Sequence, residues 1–302
     1  MIYLDRFSLP GKEKEEGVFD PRSRYFIPKT RRTVNATLYP FGVFRYREMP
    51  ELVFEEITVF CGDNGSGKST LLNVIAEKLG LARGVRFNRS EFFENYTALC
   101  GYQLKNDPPD GSAIVTSDDV FDHMLELRHI NDGIDRRREE LVKDWISARD
   151  PSRPANDPAF QLHGIDDYER FARMASMRDR NESQSNFLCR ELMSNVKEQS
   201  NGESALSFFV ERIRDNTLCL LDEPENSLSP ANQIRLKYFI EDCARRHGVQ
   251  FILSTHSPFL LSLAHARIYD LDDDPPRVKK WTELESVRTY RAFFLEQAEA
   301  FD

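Results

Sequence analysis

The sequence predicts an α/β fold, and three observations predict it. Short apolar runs rich in β-branched residues alternate with helical patterns, the signature of strands buried between helices. One such run, Glu56-Ile57-Thr58-Val59-Phe60-Cys61, is followed at once by the glycine-rich stretch Gly62-Asp63-Asn64-Gly65-Ser66-Gly67-Lys68-Ser69-Thr70 and a helical pattern from Leu71 to Leu79 that Gly80 ends. A later apolar run, Thr217 to Leu221, closes on the paired carboxylates Asp222 and Glu223.

The glycine-rich stretch has the form G-x-x-x-x-G-K-[ST], a phosphate-binding loop. Glycines let consecutive backbone N–H groups turn toward an anion, and the following helix adds partial positive charge at its N-terminus. Lys68 is placed to reach β- and γ-phosphates, and the Ser69 hydroxyl is suited to ligate Mg²⁺.

Composition bounds the rest. A chain of 302 residues with 40% hydrophobic and 30% charged residues fits a soluble globular protein of one large domain or two. With no run of 18 apolar residues, no membrane-crossing helix is expected. Acid within the first five residues argues against a signal peptide. The five cysteines (Cys61, Cys100, Cys189, Cys219, Cys243) show no C-x-x-C spacing and read as reduced thiols of a cytoplasmic protein. The net charge of -9 argues against broad nonspecific binding to nucleic acid, while leaving a local basic groove open.

In chain order, Ile2 to Leu9 reads as an edge strand and Gly11 to Gly17 as a charged turn. The basic segment Arg22, Arg24, Lys29, Arg31, Arg32, interleaved with Tyr25 and Phe26, is either a solvated connector or a contact to phosphate or a partner. Thr33 to Tyr39 and Val43 to Tyr46 read as strands leading to the phosphate loop. Tyr39 and Phe41 belong either to the core or to a base-stacking position. Val85 to Phe87, Thr97 to Leu104 and Ser112 to Thr116 read as short strands, with a turn at Asp107 to Gly111. Ser117-Asp118-Asp119 has the chemistry of a helix start. Charged helical patterns from Val120 to about Arg149 and from about Asp166 to Lys197 make residues 118–199 a helical insertion between core segments 1–117 and 200–302.

Ser200-Asn201-Gly202-Glu203-Ser204 reads as a small polar loop before an amphipathic helix. At the end of the next strand, Asp222 can hold Mg²⁺ and Glu223 can take a proton from an attacking water. A helix from Pro230 to Arg246 and a strand from Gln250 to Thr255 follow. His256, leaving the C-terminal end of that strand, points into the crevice that the phosphate loop faces.

These motifs together resemble the ATP-binding-cassette (ABC) ATPases over residues 33–271. Walker A is Gly62 to Thr70, the signature Ser200 to Ser204, Walker B Leu218 to Glu223 and the switch histidine His256. The run Asp222-Glu223-Pro224-Glu225-Asn226-Ser227-Leu228-Ser229-Pro230 looks most like small stand-alone bacterial ATPases. Those are similar to the heads of chromosome-maintenance and double-strand-break-repair ATPases, and some act in phage defence. The resemblance implies a P-loop NTPase with an ABC-type mixed β-sheet core and a helical insertion lobe. Asn201 departs from the usual signature glycine, Glu203 is the residue common in chromosome-maintenance heads, and Ser229 replaces the frequent D-loop aspartate.

The resemblance further implies ATP and Mg²⁺ as ligands, and a head-to-tail homodimer closing two nucleotides between the Walker A of one protomer and the signature of the other. Ser200 and the Gly202 N–H would complete the cage around the γ-phosphate, Glu223 would activate water and His256 would sense closure. The leading expectation is a soluble ATPase switch for a partner, a nuclease or toxin in antiviral defence or a factor in DNA maintenance. The alternatives are the nucleotide-binding subunit of a membrane transporter and a nonhydrolysing scaffold. The acids Asp270-Leu271-Asp272-Asp273-Asp274 are expected to be a solvated turn. The short stretch after the last core strand argues against a built-in nuclease.

Overall fold

The computed structural model describes residues 1–28, 37–148, 188 and 201–301. The chain divides into two compact units, Met1–Asp122 with Ser200–Asp302, and His123–Gln199. The described strands all belong to the first.

From the N-terminus, β1 (Leu4–Ser8) is followed by the short helix α1 (Lys12–Glu16), β2 (Leu52–Val53), β3 (Ile57–Cys61), α2 (Lys68–Leu79), β4 (Ala82–Arg83), α3 (Phe93–Leu99), β5 (Gly101–Leu104) and β6 (Ala113–Thr116). The long helix α4 (Ser117–Ala148) begins in the first unit and runs into the second. Then come α5 (Asn201–Arg212), β7 (Leu218–Asp222), α6 (Pro230–Arg246), β8 (Gln250–Ser254), α7 (Pro258–Leu261), β9 (Arg267–Asp270), β10 (Arg277–Lys279) and α8 (Glu285–Glu296).

The main sheet has the order β10-β9-β3-β8-β7-β6-β4, parallel throughout except for the antiparallel β10–β9 pair. Every residue of β3 and β8 is buried, which explains why their sequences read as continuous apolar runs: a strand covered on both faces has no polar side to alternate with. Because β8 lies between β3 and β7, the register sets Phe60, Ser254 and Asp222 side by side at the C-terminal edge. Loops leaving these strands therefore converge on one crevice.

A second, antiparallel sheet has the order β2-β1-β5. Its Leu4, Phe7 and Leu52 share one core with Leu71, Leu72, Val74 and Ile75 of α2 and with Phe60 and Ile252 of the main sheet. Burial of each such side chain is worth about 1.5–3 kcal/mol. Gln250, fully buried, joins the two sheets: its Oε1 accepts from the N–H groups of Tyr3 and Leu4 (2.8 and 2.9 Å), and its Nε2 donates to the carbonyls of Leu4 and Glu55 (2.8 and 3.1 Å). A buried amide is tolerated here because all these bonds are made.

Several local expectations are corrected. β1 is the central strand of its sheet, not an edge. The segment Gly11 to Gly17 forms α1 because its Lys and Glu residues are good helix formers and Gly11 O accepts from Lys14 and Glu15 N–H. Residues 33–36 lie outside the described residues. Residues 37–46 form turns instead of strands: Phe41 N–H bonds Leu38 O, Val43 N–H bonds Pro40 O, and Gly42 takes a φ of 92°. The strand expected at Val85 to Phe87 stands earlier, at Ala82–Arg83. Thr97 to Leu104 splits into the end of α3 and β5. α4 starts at Ser117, with Ser117 to Asp119 already helical and the cap one residue earlier than expected: Thr116 Oγ1 accepts the Asp119 N–H (3.3 Å) and Asp119 Oδ2 accepts the Thr116 N–H (2.7 Å). The helix expected at 166–197 lies outside the described residues apart from Leu188.

Candidate active site

Between β3 and α2 the chain makes a tight loop with positive φ at Gly62 (146°), Gly65 (86°) and Gly67 (100°). Gly67 meets a second constraint, since a Cβ there would stand 2.8 Å from Phe44 Cε1. α2 then begins at Lys68, whose side chain is buried and whose Nζ donates to the carbonyls of Gly62 and Asp63 (2.9 and 3.1 Å). The ammonium is thus held inside the loop, facing the helix N-terminus. Ser66 Oγ is buried without a hydrogen-bond partner among the described residues.

Two contacts brace the loop from outside. Asp272 accepts the Asp63 N–H on both carboxylate oxygens (2.8 and 2.9 Å). Arg47 Nη1 donates to the carbonyls of Ser66 (3.2 Å) and Leu271 (2.5 Å). Asp272 and Asp274 are exposed on a turn, as expected, but Asp272 also holds the phosphate loop, and Asp270 departs from the expectation: it is buried and pairs with Lys279 at 2.8 Å. Tyr39 and Phe41 are half-buried and pack against the core, Tyr39 against Phe93 (5.9 Å between centroids) and Phe41 edge-on to Tyr96 (5.0 Å), while the Tyr39 hydroxyl lies 3.1 Å from Thr70 Oγ1.

At the end of β7, Asp222 Oδ1 accepts from the hydroxyls of Ser69 (3.0 Å) and Ser254 (2.5 Å). Burial pushes the Asp222 carboxyl above its usual range, and the two hydroxyl bonds pull the other way. A hydroxyl beside a carboxylate, both hard oxygen donors, suits Mg²⁺. Among the described residues no group of three or more His, Cys, Asp or Glu could hold a metal. A cation at Ser69 and Asp222 would therefore need further oxygens, such as those of phosphates.

Glu223 leaves the strand in the left-handed region (φ 47°, ψ 54°), a costly conformation for a side chain with a Cβ, and its N–H bonds Ser254 O at 3.1 Å. That turn swings its carboxylate toward the loop: Oε1 lies 3.8 Å from Lys68 Nζ and 3.2 Å from His256 Nε2, while Oε2 accepts from Asn226 Nδ2 at 3.0 Å. His256 Nε2 is buried and lacks hydrogen-bond geometry to any described residue.

The structure thus brings the loop Gly62–Thr70, Asp222, Glu223 and His256 to one crevice. Ser200 lies outside the described residues. Asn201 to Ser204 form the first turn of α5, not a loop ahead of it, so Gly202 stands on a separate element. Sequence reasoning missed Ser254, Glu225, Asp272 and Arg47. Ser254 could have been found as the strand residue level with Asp222, and Glu225 stands in plain sight two residues after Glu223.

Fold and crevice together define a P-loop NTPase with a core of the AAA/ABC ATPase type. The chain belongs to the family described as "AAA domain, putative AbiEii toxin, Type IV TA system", whose model matches residues 104–262. That stretch includes Asp222, Glu223 and His256, with the phosphate loop ahead of it. No curated protein matches the chain. Among solved structures it is similar to the Pyrococcus furiosus Smc head domain with an extended coiled coil, bound to the C-terminal domain of ScpA (14% identity, 98% of this chain and 99% of that one, TM-score 0.43). It is similar also to the Thermotoga maritima SMC head domain (14% identity, 76% and 92%, TM-score 0.35). A third is a dimeric post-hydrolysis ATP-binding cassette bound to ADP and Pi (16% identity, 78% and 90%, TM-score 0.35).

Proposed function

We propose that this protein binds and hydrolyses Mg-ATP in the crevice between the phosphate loop and the ends of β7 and β8, and that nucleotide-driven pairing of two copies switches a partner effector. The observation that carries this reading is the convergence on one point of a buried ammonium, a hydroxyl–carboxylate pair and a second carboxylate beside a histidine.

Each group has a role that follows from its chemistry. The loop N–H groups and Lys68 would bind the phosphates, with Lys68 exchanging its two carbonyl acceptors for phosphate oxygens. Ser69 and Asp222 would hold Mg²⁺, which when bound supplies charge neutralisation on the phosphates. Ser254 keeps Asp222 aimed at Ser69. Glu223, outside that pair, is the group placed to orient a water and accept its proton. Asn226 fixes one of its oxygens and leaves the other facing Lys68 and His256. His256 would donate to the γ-phosphate through Nε2, which lies 3.2 Å from Glu223 Oε1 without hydrogen-bond geometry.

Gly202, in the first turn of α5, and Ser200, which lies outside the described residues, would serve the nucleotide of a second copy. The family description names a "putative AbiEii toxin" and a toxin–antitoxin system, which supports a switch within a two-component toxin–antitoxin pair, the setting in which a partner effector and a defence role are proposed. Among the described residues no helix is long and apolar enough to cross a membrane. The test is steady-state phosphate release with Mg-ATP. The wild type should turn over, Lys68→Ala should lose nucleotide binding, and Glu223→Gln should bind but release phosphate at least about 100-fold more slowly. A wild type that neither binds ATP nor releases phosphate overturns the reading.

A further inference from the structure

Among the described residues Glu225 bonds neither the phosphate loop nor the Ser69–Asp222 pair, yet one of its oxygens accepts from three donors beside them. It sits on the short turn Pro224–Ser227 that follows Glu223. Its Oε1 accepts from Thr255 Oγ1 (2.7 Å), from the His256 N–H (2.5 Å) and from the Ser257 N–H (3.2 Å). These donors span the whole segment that leaves β8 and carries His256. Its Oε2 is buried without a partner among the described residues.

The same turn holds the opposing group. Asn226, the next residue, donates to Glu223 Oε2. One four-residue turn thus fixes the Glu223 carboxylate through a side chain and the His256 backbone through Glu225. The far side of the histidine segment is also tied, since Ser257 Oγ donates to Gln233 Oε1 (2.6 Å) and Gln233 Nε2 donates to Leu228 O (2.9 Å).

We propose that Glu225 is the positioning residue of this site: it anchors the 255–257 backbone so that the His256 imidazole is held 3.2 Å from Glu223. Every neighbour of Oε1 donates, and an ionised carboxylate is the strongest acceptor a side chain offers to them. An amide would accept more weakly and would put an N–H₂ where Oε2 stands, in a buried spot with no acceptor among the described residues. Burial pushes the Glu225 carboxyl above its usual range while the bonds from Thr255 and His256 pull it down, so its ionised form depends on those donors.

This inference rests on the ATPase reading above. The experiment measures phosphate release against ATP concentration for the wild type, Glu225→Gln, His256→Ala and the double variant, with nucleotide affinity and thermal melting of each. Glu225→Gln should lose about tenfold in kcat with KM and nucleotide affinity within twofold of the wild type. The double variant should be no more than twofold slower than His256→Ala, because Glu225 acts through that histidine. If Glu225→Gln fails to fold, Thr255→Val removes one donor and leaves the carboxylate; it should lose several-fold in kcat with the same non-additivity. Losses that multiply in the double variant, a change in KM alone, or a His256→Ala enzyme as fast as the wild type each overturn the assignment. An active wild type with an unimpaired Glu225→Gln overturns the role of Glu225 only, whereas an inactive wild type overturns the ATPase reading itself.

Discussion

Ser69 and Asp222 stand 153 positions apart in the sequence, yet the serine hydroxyl donates to Asp222 Oδ1 over 3.0 Å. Their meeting is a matter of sheet order. Ser69 stands in the first turn of the helix after β3, Asp222 ends β7, and β8 between β3 and β7 supplies Ser254 to the same carboxylate oxygen. If this pair holds the cation, Ser69→Ala should weaken Mg-ATP binding by about tenfold, the worth of one lost ligand-bearing hydroxyl at ~1–2 kcal/mol. Affinity for ATP in excess chelator should change less than twofold. Titration calorimetry with and without Mg²⁺ checks this, and equal losses under both conditions would remove Ser69 from the cation site.

The phosphate loop allows a cleaner separation of backbone strain from crowding. Gly65 and Gly67 both have positive φ, but a Cβ at Gly65 would meet nothing within 4 Å, whereas one at Gly67 would press on the Phe44 ring at 2.8 Å. Gly65→Ala should therefore cost about 1–2 kcal/mol from conformation alone. Gly67→Ala should cost a further ~1–3 kcal/mol from overpacking against a buried ring. Urea unfolding of both variants reads the difference, and equal midpoints would mean that Phe44 moves aside freely.

How much of this was legible in the sequence depends on how local each signal is. Gly62 to Thr70 is recognisable because phosphate binding needs glycines, a lysine and a hydroxyl at fixed spacing on consecutive residues. The strands β3, β7 and β8 are legible because burial on both faces leaves an unbroken apolar run. Turns at 37–46 escaped because aromatic side chains there, such as Phe44, are buried by tertiary packing and so mimic the composition of strands. Asp272 is exposed, as expected, but its hold on the phosphate loop escaped for the converse reason. Nothing in a run of acids tells which one receives an N–H from a loop 209 positions away. Glu225 is visible two residues after Glu223, but its role is not, since its donors Thr255, His256 and Ser257 follow β8, 30 to 32 positions downstream.

The buried thiols give a prediction in pH. Burial pushes Cys100 and Cys219 up to about 12, from an ordinary thiol value of 9.0. The fold thus favours the neutral thiol over the thiolate. Its contribution to stability is complete below the ordinary value and is lost as pH climbs through the window from about 9 to about 12. At pH 8 only about one such thiol in ten thousand is ionised. Native protein should accordingly resist alkylation at Cys100 and Cys219 by iodoacetamide, with labelling rates about 1,000-fold below those of the urea-unfolded chain. Peptide mass mapping after timed quenching reads each site, and rapid native labelling would show that these segments open readily.

The pairing of two copies is the part of the proposed function that a single chain cannot display, and Gly202 gives access to it. Gly202 stands in the first turn of α5, while the crevice is built from β3, α2, β7 and β8. If its N–H serves the nucleotide of a second copy, Gly202→Asp leaves Lys68, Ser69 and Asp222 untouched. Nucleotide binding by the monomer should stay within about twofold of the wild type. ATP-driven dimerisation should fail, because the new carboxylate would face the γ-phosphate in a poorly solvated interface, a like-charge contact costing several kcal/mol. Mixing this variant with Lys68→Ala restores one complete site: an intact phosphate loop from the first protein faces an intact α5 from the second, while the other site is broken on both sides. Some ATP-dependent heterodimer should then form where neither variant self-associates. Analytical ultracentrifugation with Mg-ATP, on each variant and on the mixture, carries the test, with Glu223→Gln added to both chains to slow turnover. If Gly202→Asp pairs as the wild type does, the start of α5 takes no part in the nucleotide interface and the head-to-tail arrangement fails for this protein.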